Sequence, residues 1–141
     1  MKKVFVVIFC LFAGLNSISA QNNEEKEKQS KEGPEITFIE KSKDFGDIVT
    51  GDTVSHVFVF KNTGTEPLIV SDVVTTCGCT APSWSKQPVM PGQSGDIKVV
   101  FNSKNKIGRQ NKVVTILSNA SNHRETVNIV TNILPKEKEE K

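Results

Sequence analysis

The apolar residues of this chain repeat at every second position. In Val54-Ser-His-Val-Phe-Val-Phe60, the side chains of Val54, His56, Phe58 and Phe60 fall on one face. Ile97, Val99 and Phe101 line up in the same way, with Lys98 and Asn102 opposite. Val127, Ile129 and Ile133 alternate with Asn128 and Asn132. A half-buried strand produces this spacing, because its successive side chains point to opposite faces. Ile36–Glu40, Leu68–Val74 and Lys112–Leu117 are further candidate strands, each rich in β-branched residues. No run keeps helical spacing for more than a turn or two.

Turn chemistry separates these runs. Asn62-Thr-Gly64, Pro91-Gly-Gln-Ser-Gly95, Lys104-Asn-Lys-Ile-Gly108 and Asn119-Ala-Ser-Asn122 supply glycine, proline and asparagine where the chain must reverse. Six or seven short strands within about 100 residues predict an all-β fold. The expected architecture is an antiparallel immunoglobulin-like β-sandwich of about seven strands, spanning residues 34–134. The cysteine–tryptophan–cysteine order of an antibody domain is absent, since Cys77 and Cys79 both precede Trp84.

The flanks are of another kind. Lys2 and Lys3 precede an apolar run from Val4 to Leu15, and Ser17-Ile-Ser-Ala20 offers small residues for a signal peptidase. Residues 1–20 therefore read as a signal peptide cleaved before Gln21. The run is shorter than the roughly 20 residues a bilayer-spanning helix needs, so no transmembrane segment is expected in the mature chain. Cys10 does not suit a lipid anchor: it lies inside the apolar run, after the bulky Phe9. Residues 21–33 contain no apolar side chain and should form a solvated linker, and 135–141 form a charged tail of the same character.

Cleavage removes Lys2 and Lys3 from the 18 basic residues, leaving 16 against 16 acidic ones. A neutral mature chain lacks the basic excess of a nucleic-acid binder. It keeps two cysteines, too few for a disulfide framework.

Those two stand in Thr76-Cys77-Gly78-Cys79-Thr80. Three readings are open: a local disulfide, a soft metal site, or a shaped turn of the fold. In an extended strand the Cα atoms of residues i and i+2 lie roughly 6.5–7 Å apart, at the upper limit of the roughly 4.4–6.8 Å a disulfide spans. Gly78 would let the backbone bend as a residue with a Cβ could not. So small a ring constrains the unfolded chain by only roughly 1.6 kcal/mol in the chain-entropy picture, and such a bond should be comparatively easy to reduce. The spacing is not the Cys-x-x-Cys of thioredoxin-like folds, and only Pro82-Ser83-Trp84 offers the start of a short helical turn. A soft metal such as Cu(I) would accept two thiolates, but His56, His123 and Met90 have no ligand spacing to the pair.

Other residues read as framework. His56 shares the face of Phe58 and Phe60, His123 lies in a polar loop, and Trp84 suits the open end of a sandwich. Asp44, Asp47 and Asp52 lie in turn-like sequence without the ligand pattern of a calcium loop. Asn119-Ala-Ser121 matches an N-glycosylation sequon, and Asp52-Thr-Val54 resembles an O-glycosylation site of some exporting bacteria.

Several motifs occur in a familiar order: Phe45-Gly-Asp-Ile48, Val57-Phe-Val-Phe-Lys-Asn-Thr-Gly64, Pro67-Leu-Ile-Val70, Thr76-Cys-Gly-Cys-Thr80, Pro91-Gly-Gln-Ser-Gly95, Ile97-Lys-Val-Val-Phe101 and Ser118-Asn119. The series resembles an exported bacterial domain-of-unknown-function family, number 1573. That family is similar to the immunoglobulin-like domains of major sperm protein and of hydin-type ciliary proteins. The resemblance covers nearly all of 36–133 and implies the fold and an exported setting, with no activity attached.

The expected function is a non-enzymatic binding, assembly or scaffold module of the periplasm or cell surface, with a protein partner and no cofactor. The loop 75–91, carrying Cys77, Cys79, Trp84 and Met90, is the first candidate for the partner surface. The alternative is a periplasmic thiol protein that exchanges disulfides or binds copper through Cys77 and Cys79. If the signal peptide is read correctly, mass spectrometry of the exported protein will find its first residue to be Gln21. A mature chain that retains the apolar run would contradict it.

Overall fold

The computed structural model describes residues 32–137. Eight strands follow in order: β1 (Ile36–Phe38), β2 (Ser42–Val49), β3 (Thr53–Asn62), β4 (Val70–Thr75), β5 (Thr80–Trp84), β6 (Ser94–Asn102), β7 (Gly108–Ser118) and β8 (Arg124–Leu134). They form two four-stranded sheets, ordered β1-β3-β6-β5 and β2-β8-β7-β4. The two inner faces meet in one core. The alternating residues supply it: Phe58, Ile97, Val99, Phe101, Val127 and Ile129 are fully buried, and Phe60 and Ile133 nearly so. Phe38 and Phe60 pack with ring centroids 5.7 Å apart. The all-β immunoglobulin-like sandwich is thus the fold. The signal peptide 1–20, most of the linker 21–33 and the end of the tail lie outside the described residues.

Three segments depart from the strand pattern expected of the sequence. First, the N-terminal run is divided between the sheets, which makes eight strands rather than about seven. β1 pairs antiparallel with β3, the chain crosses at Ile39-Glu40-Lys41, and β2 then pairs parallel with β8. With no reversing turn in that crossing, β2 keeps its direction, and the sandwich is not wholly antiparallel. Second, Asp44 and Asp47 lie on β2 rather than in a turn, on either side of a register shift. Gly46 adopts φ +65° there, a backbone conformation that favours glycine. Third, Thr80–Trp84 is an edge strand and not a helical turn. Asn102 N–H bonds to Cys79 C=O, so the backbone groups of Ala81 and Ser83 face β6 and those of Pro82 face the open edge. Proline is tolerated there because its missing N–H has no ladder partner to lose.

Buried and half-buried polar side chains hold the irregular segments against this core. Asn62 is fully buried at the end of β3. Its Nδ2 donates to the carbonyl oxygens of Glu66 at 2.7 Å and Val89 at 2.8 Å. Its Oδ1 accepts from the N–H groups of Gly64 and Glu35. Ser103 Oγ lies 2.9 Å from both Val49 O and Asp52 O, fixing the β2–β3 turn. Thr131 Oγ1 donates to Gly46 O at 2.8 Å and holds the β2 bulge. Asn122 bonds both backbone groups of Ile36, tying short β1 to the β7–β8 turn. Among the described residues, no buried side-chain polar atom lacks a partner.

Close packing also dictates one glycine. A Cβ on Gly95 would sit 2.5 Å from Phe60 Cζ, inside any real carbon–carbon contact. Asn62→Ala should remove four hydrogen bonds to part-buried backbone groups and cost about 3 kcal/mol, or roughly 10–20 °C in melting temperature for a domain of this size. Gly95→Ala should cost about 1–3 kcal/mol by displacing the Phe60 ring. Thermal melting checks both, and wild-type stability in Asn62→Ala would contradict the role given to that side chain.

Candidate functional site

The turn between β4 and β5 joins the edge of one sheet to the edge of the other. Its two cysteines are bonded: Cys77 and Cys79 form a disulfide with Cα atoms 5.3 Å apart. That separation is shorter than an extended i, i+2 pair allows, so the backbone folds back between them. Thr80 N–H donates to Cys77 O at 3.3 Å, closing the turn. Thr75 Oγ1 lies 3.1 Å from Cys77 O and 3.3 Å from Thr80 O, within donating distance of both. The turn is therefore held by its own threonines as well as by the sulfurs.

Gly78 does not play the part expected of it. Its φ lies outside the left-handed region, and an added Cβ would meet nothing within 4 Å. A residue with a side chain could adopt the same turn. Cys79 packs partly against the core, and both cysteines remain partly exposed. Thr80 is almost fully buried beneath them. Its Oγ1 lies 3.7 Å from Cys77 Sγ and 3.9 Å from Cys79 Sγ. Thr80 is the functional candidate the sequence reading missed, although its place inside the Thr-Cys-Gly-Cys-Thr run was a signal.

The loop 75–91 is not one surface. Strand β5 divides it, with the disulfide at one end and Trp84 at the other. Trp84 packs partly against the core, and its indole N–H donates to Val70 O at 3.3 Å, bridging the edges of the two sheets. Beyond it, residues 85–91 form a separate loop with Met90 48% exposed. Val89 exchanges both backbone hydrogen bonds with Leu68, at 2.8 and 2.9 Å, and Gln93 N–H closes onto Met90 O. Beside this loop is a cleft of about 220 Å³, lined by residues including Phe60, Pro88, Val89 and Gly95. A larger recess of about 600 Å³ is walled by Val49, Leu134 and Pro135 to Glu137.

The other candidates are dispersed. His56 pairs with Glu40 and lies edge-on to Phe58, ring centroids 4.8 Å apart. His123 is exposed at the β7–β8 turn. Among the described residues, no group of three or more His, Cys, Asp or Glu side chains converges as a metal site would require. Asn119, the sequon asparagine, has both ends of its amide in use: Nδ2 donates to Pro67 O at 3.1 Å, and Oδ1 accepts from Ile69 N–H at 2.7 Å. A glycan on that nitrogen would compete with the link between the 67–69 segment and the end of β7.

The family described as "Protein of unknown function (DUF1573)" matches residues 36–133. No curated protein matches the chain. Among solved structures, a protein of unknown function from Porphyromonas gingivalis W83 is similar, with TM-score 0.63 and 13% identity over 77% of this chain and 51% of that one. The VesB protease of Vibrio cholerae gives TM-score 0.59 and 14% identity, over 70% of this chain and 32% of its own. The PapD-like domain 7 of human CEP192 gives TM-score 0.60 and 11% identity, over 73% and 87%. This chain spans about half or less of the first two. At these identities the likeness is one of fold alone.

Because neither φ nor space requires glycine at position 78, Gly78→Ala should change stability by less than about 0.5 kcal/mol. Denaturant unfolding checks this, and a loss above about 2 kcal/mol would mean that the turn depends on glycine after all.

Proposed function

The chain belongs to the DUF1573 family, and we propose that it is an exported, non-enzymatic binding or scaffold module that holds a partner protein at the 85–91 loop. The observation that carries this reading is a loop held by backbone hydrogen bonds beside a small cleft, with Met90 exposed on it. Val89 O accepts from Asn62 Nδ2 and from Leu68 N–H, so the loop backbone is fixed before any partner arrives. A loop ordered in advance loses less entropy on binding, and loops on a rigid scaffold are where sandwich folds carry their contacts.

Size bears on the ligand class. A cleft of about 220 Å³ is below the roughly 300–1,000 Å³ of small-molecule sites. It suits one inserted side chain of a partner, with Phe60, Pro88 and Val89 as apolar walls facing polar Gln87, Gln93 and Asp96. Strand addition is less suited to this domain. β1 has three residues, β2 and β4 are broken by register shifts, and β5 carries Pro82 on its open edge. Each feature blunts an edge that a foreign strand would need. The candidate partner surface thus narrows to Met90 and its loop, with Trp84 supporting it from the sheet side. Export to the periplasm or cell surface rests on the sequence of residues 1–20.

The test compares tagged wild-type protein with Met90→Asp and Pro88→Ser variants in pull-downs from envelope extract. Both variants should melt within about 3 °C of wild type, because Met90 and Pro88 lie outside the buried core. They should lose the partner that wild type retains. Variants that keep every partner would contradict the reading.

A further inference from the structure

We propose that Cys77–Cys79 is an exchangeable disulfide that accepts two electrons from the dithiol of a partner protein, with Thr80 as the residue that assists its opening. This goes beyond the binding reading, since the disulfide and the Met90 loop lie at opposite ends of β5.

Three features of the turn carry the inference. The ring is the smallest that one intervening residue permits, closed over a sequence separation of 2. Linking such near neighbours removes little freedom from the unfolded chain, so the bond has small value as a staple. The turn is also open. Cys77 and Cys79 are both partly exposed, so a thiolate can reach the bond from solvent. Finally, a hydroxyl is already in place. Thr80 Oγ1 lies within 4 Å of both sulfurs and belongs to a nearly fully buried residue.

The exchange balances as follows. A partner thiolate attacks Cys77 Sγ, the sulfur of the residue not packed against the core, and forms a mixed disulfide. The Cys77–Cys79 bond breaks, and its electron pair goes to Cys79 Sγ as a thiolate. Thr80 Oγ1–H donates to that thiolate, as hydroxyls do more strongly to charged acceptors than to neutral ones. The partner's second thiolate then attacks the partner sulfur in the mixed disulfide and releases Cys77. The two protons from the partner dithiol end on Cys77 and Cys79. One dithiol is oxidised, and one disulfide is reduced.

The turn should be able to open without loss of the fold, because Thr75 and the β4 and β5 pairings hold its ends. The test uses the purified protein with dithiothreitol and with glutathione buffers, reading the free thiols by alkylation and mass spectrometry. The expected result is reduction under native conditions, with both redox forms populated in mixed glutathione buffers. The reduced protein should keep the wild-type circular dichroism spectrum and a cooperative melt. Thr80→Val should slow reduction by dithiothreitol roughly tenfold, the worth of one hydrogen bond to a charged group, while Thr80→Ser should stay within about threefold of wild type. A bond that yields only after the domain is unfolded would overturn the proposal. So would a reduced protein without a cooperative melt, or a Thr80→Val variant that reduces at the wild-type rate.

Discussion

Asn62 is the residue on which the rest of this sandwich depends. A β-sandwich can bury alternating apolar residues without difficulty, but its connections carry backbone groups that must find partners wherever they are buried. At the end of β3, one carboxamide bonds Gly64 and Glu35 with its oxygen and Glu66 and Val89 with its nitrogen. The turn that follows β3 and two distant segments, at Glu35 and Val89, are thereby fixed to the core strand that ends in Phe60 and Asn62. Ser103, Thr131 and Asn122 repeat the device at the β2–β3 turn, the β2 bulge and the start of β1. The apolar core sets the two sheets face to face, and these side chains determine how the loops leave them.

The strands that form the centre of each sheet were legible because they are buried on one face and wet on the other. Ile97, Val99 and Phe101 share one face opposite Lys98 and Asn102, and all three are fully buried. Edge strands lack that pressure. In Thr80–Trp84, the inward positions are Thr80, Pro82 and Trp84, which carry no apolar alternation a reader would recognise. β2 was hidden for another reason: its bulge at Gly46 shifts the register, so no single period spans Ser42–Val49. The parallel pairing of β2 with β8 follows from the sheet switch at residues 39–41, and local sequence carries no mark of which sheet a strand will join. The polar residues at strand ends were equally silent. Asn62 reads as a turn residue in Asn-Thr-Gly, and only the fold shows that its side chain points inward.

The candidate site shows the same division. Cys77 and Cys79 were identifiable by type and spacing alone, and the structure joins them. The part given to Gly78 was a reasonable deduction from glycine's conformational range, yet its φ does not use that range. Trp84 and Met90 look like parts of one loop with the cysteines because only six residues lie between Cys77 and Trp84 in sequence. Strand β5 runs between them, with Trp84 held to Val70 O as a brace and Met90 free beyond it. One expected surface thus becomes two regions: a disulfide-bonded turn at one end of the edge strand and the loop carrying Met90 at the other.

The sandwich rests on its core and its buried polar side chains rather than on the disulfide, whose two-residue separation constrains the unfolded chain little. Amide hydrogen exchange on the oxidised and reduced protein tests that most directly, since protection reports which segments open together. Reduction should raise exchange only within residues 75–84, with the central strands β3, β6, β7 and β8 as protected as before. Loss of protection across both sheets on reduction would make the disulfide a staple of the fold and contradict the account.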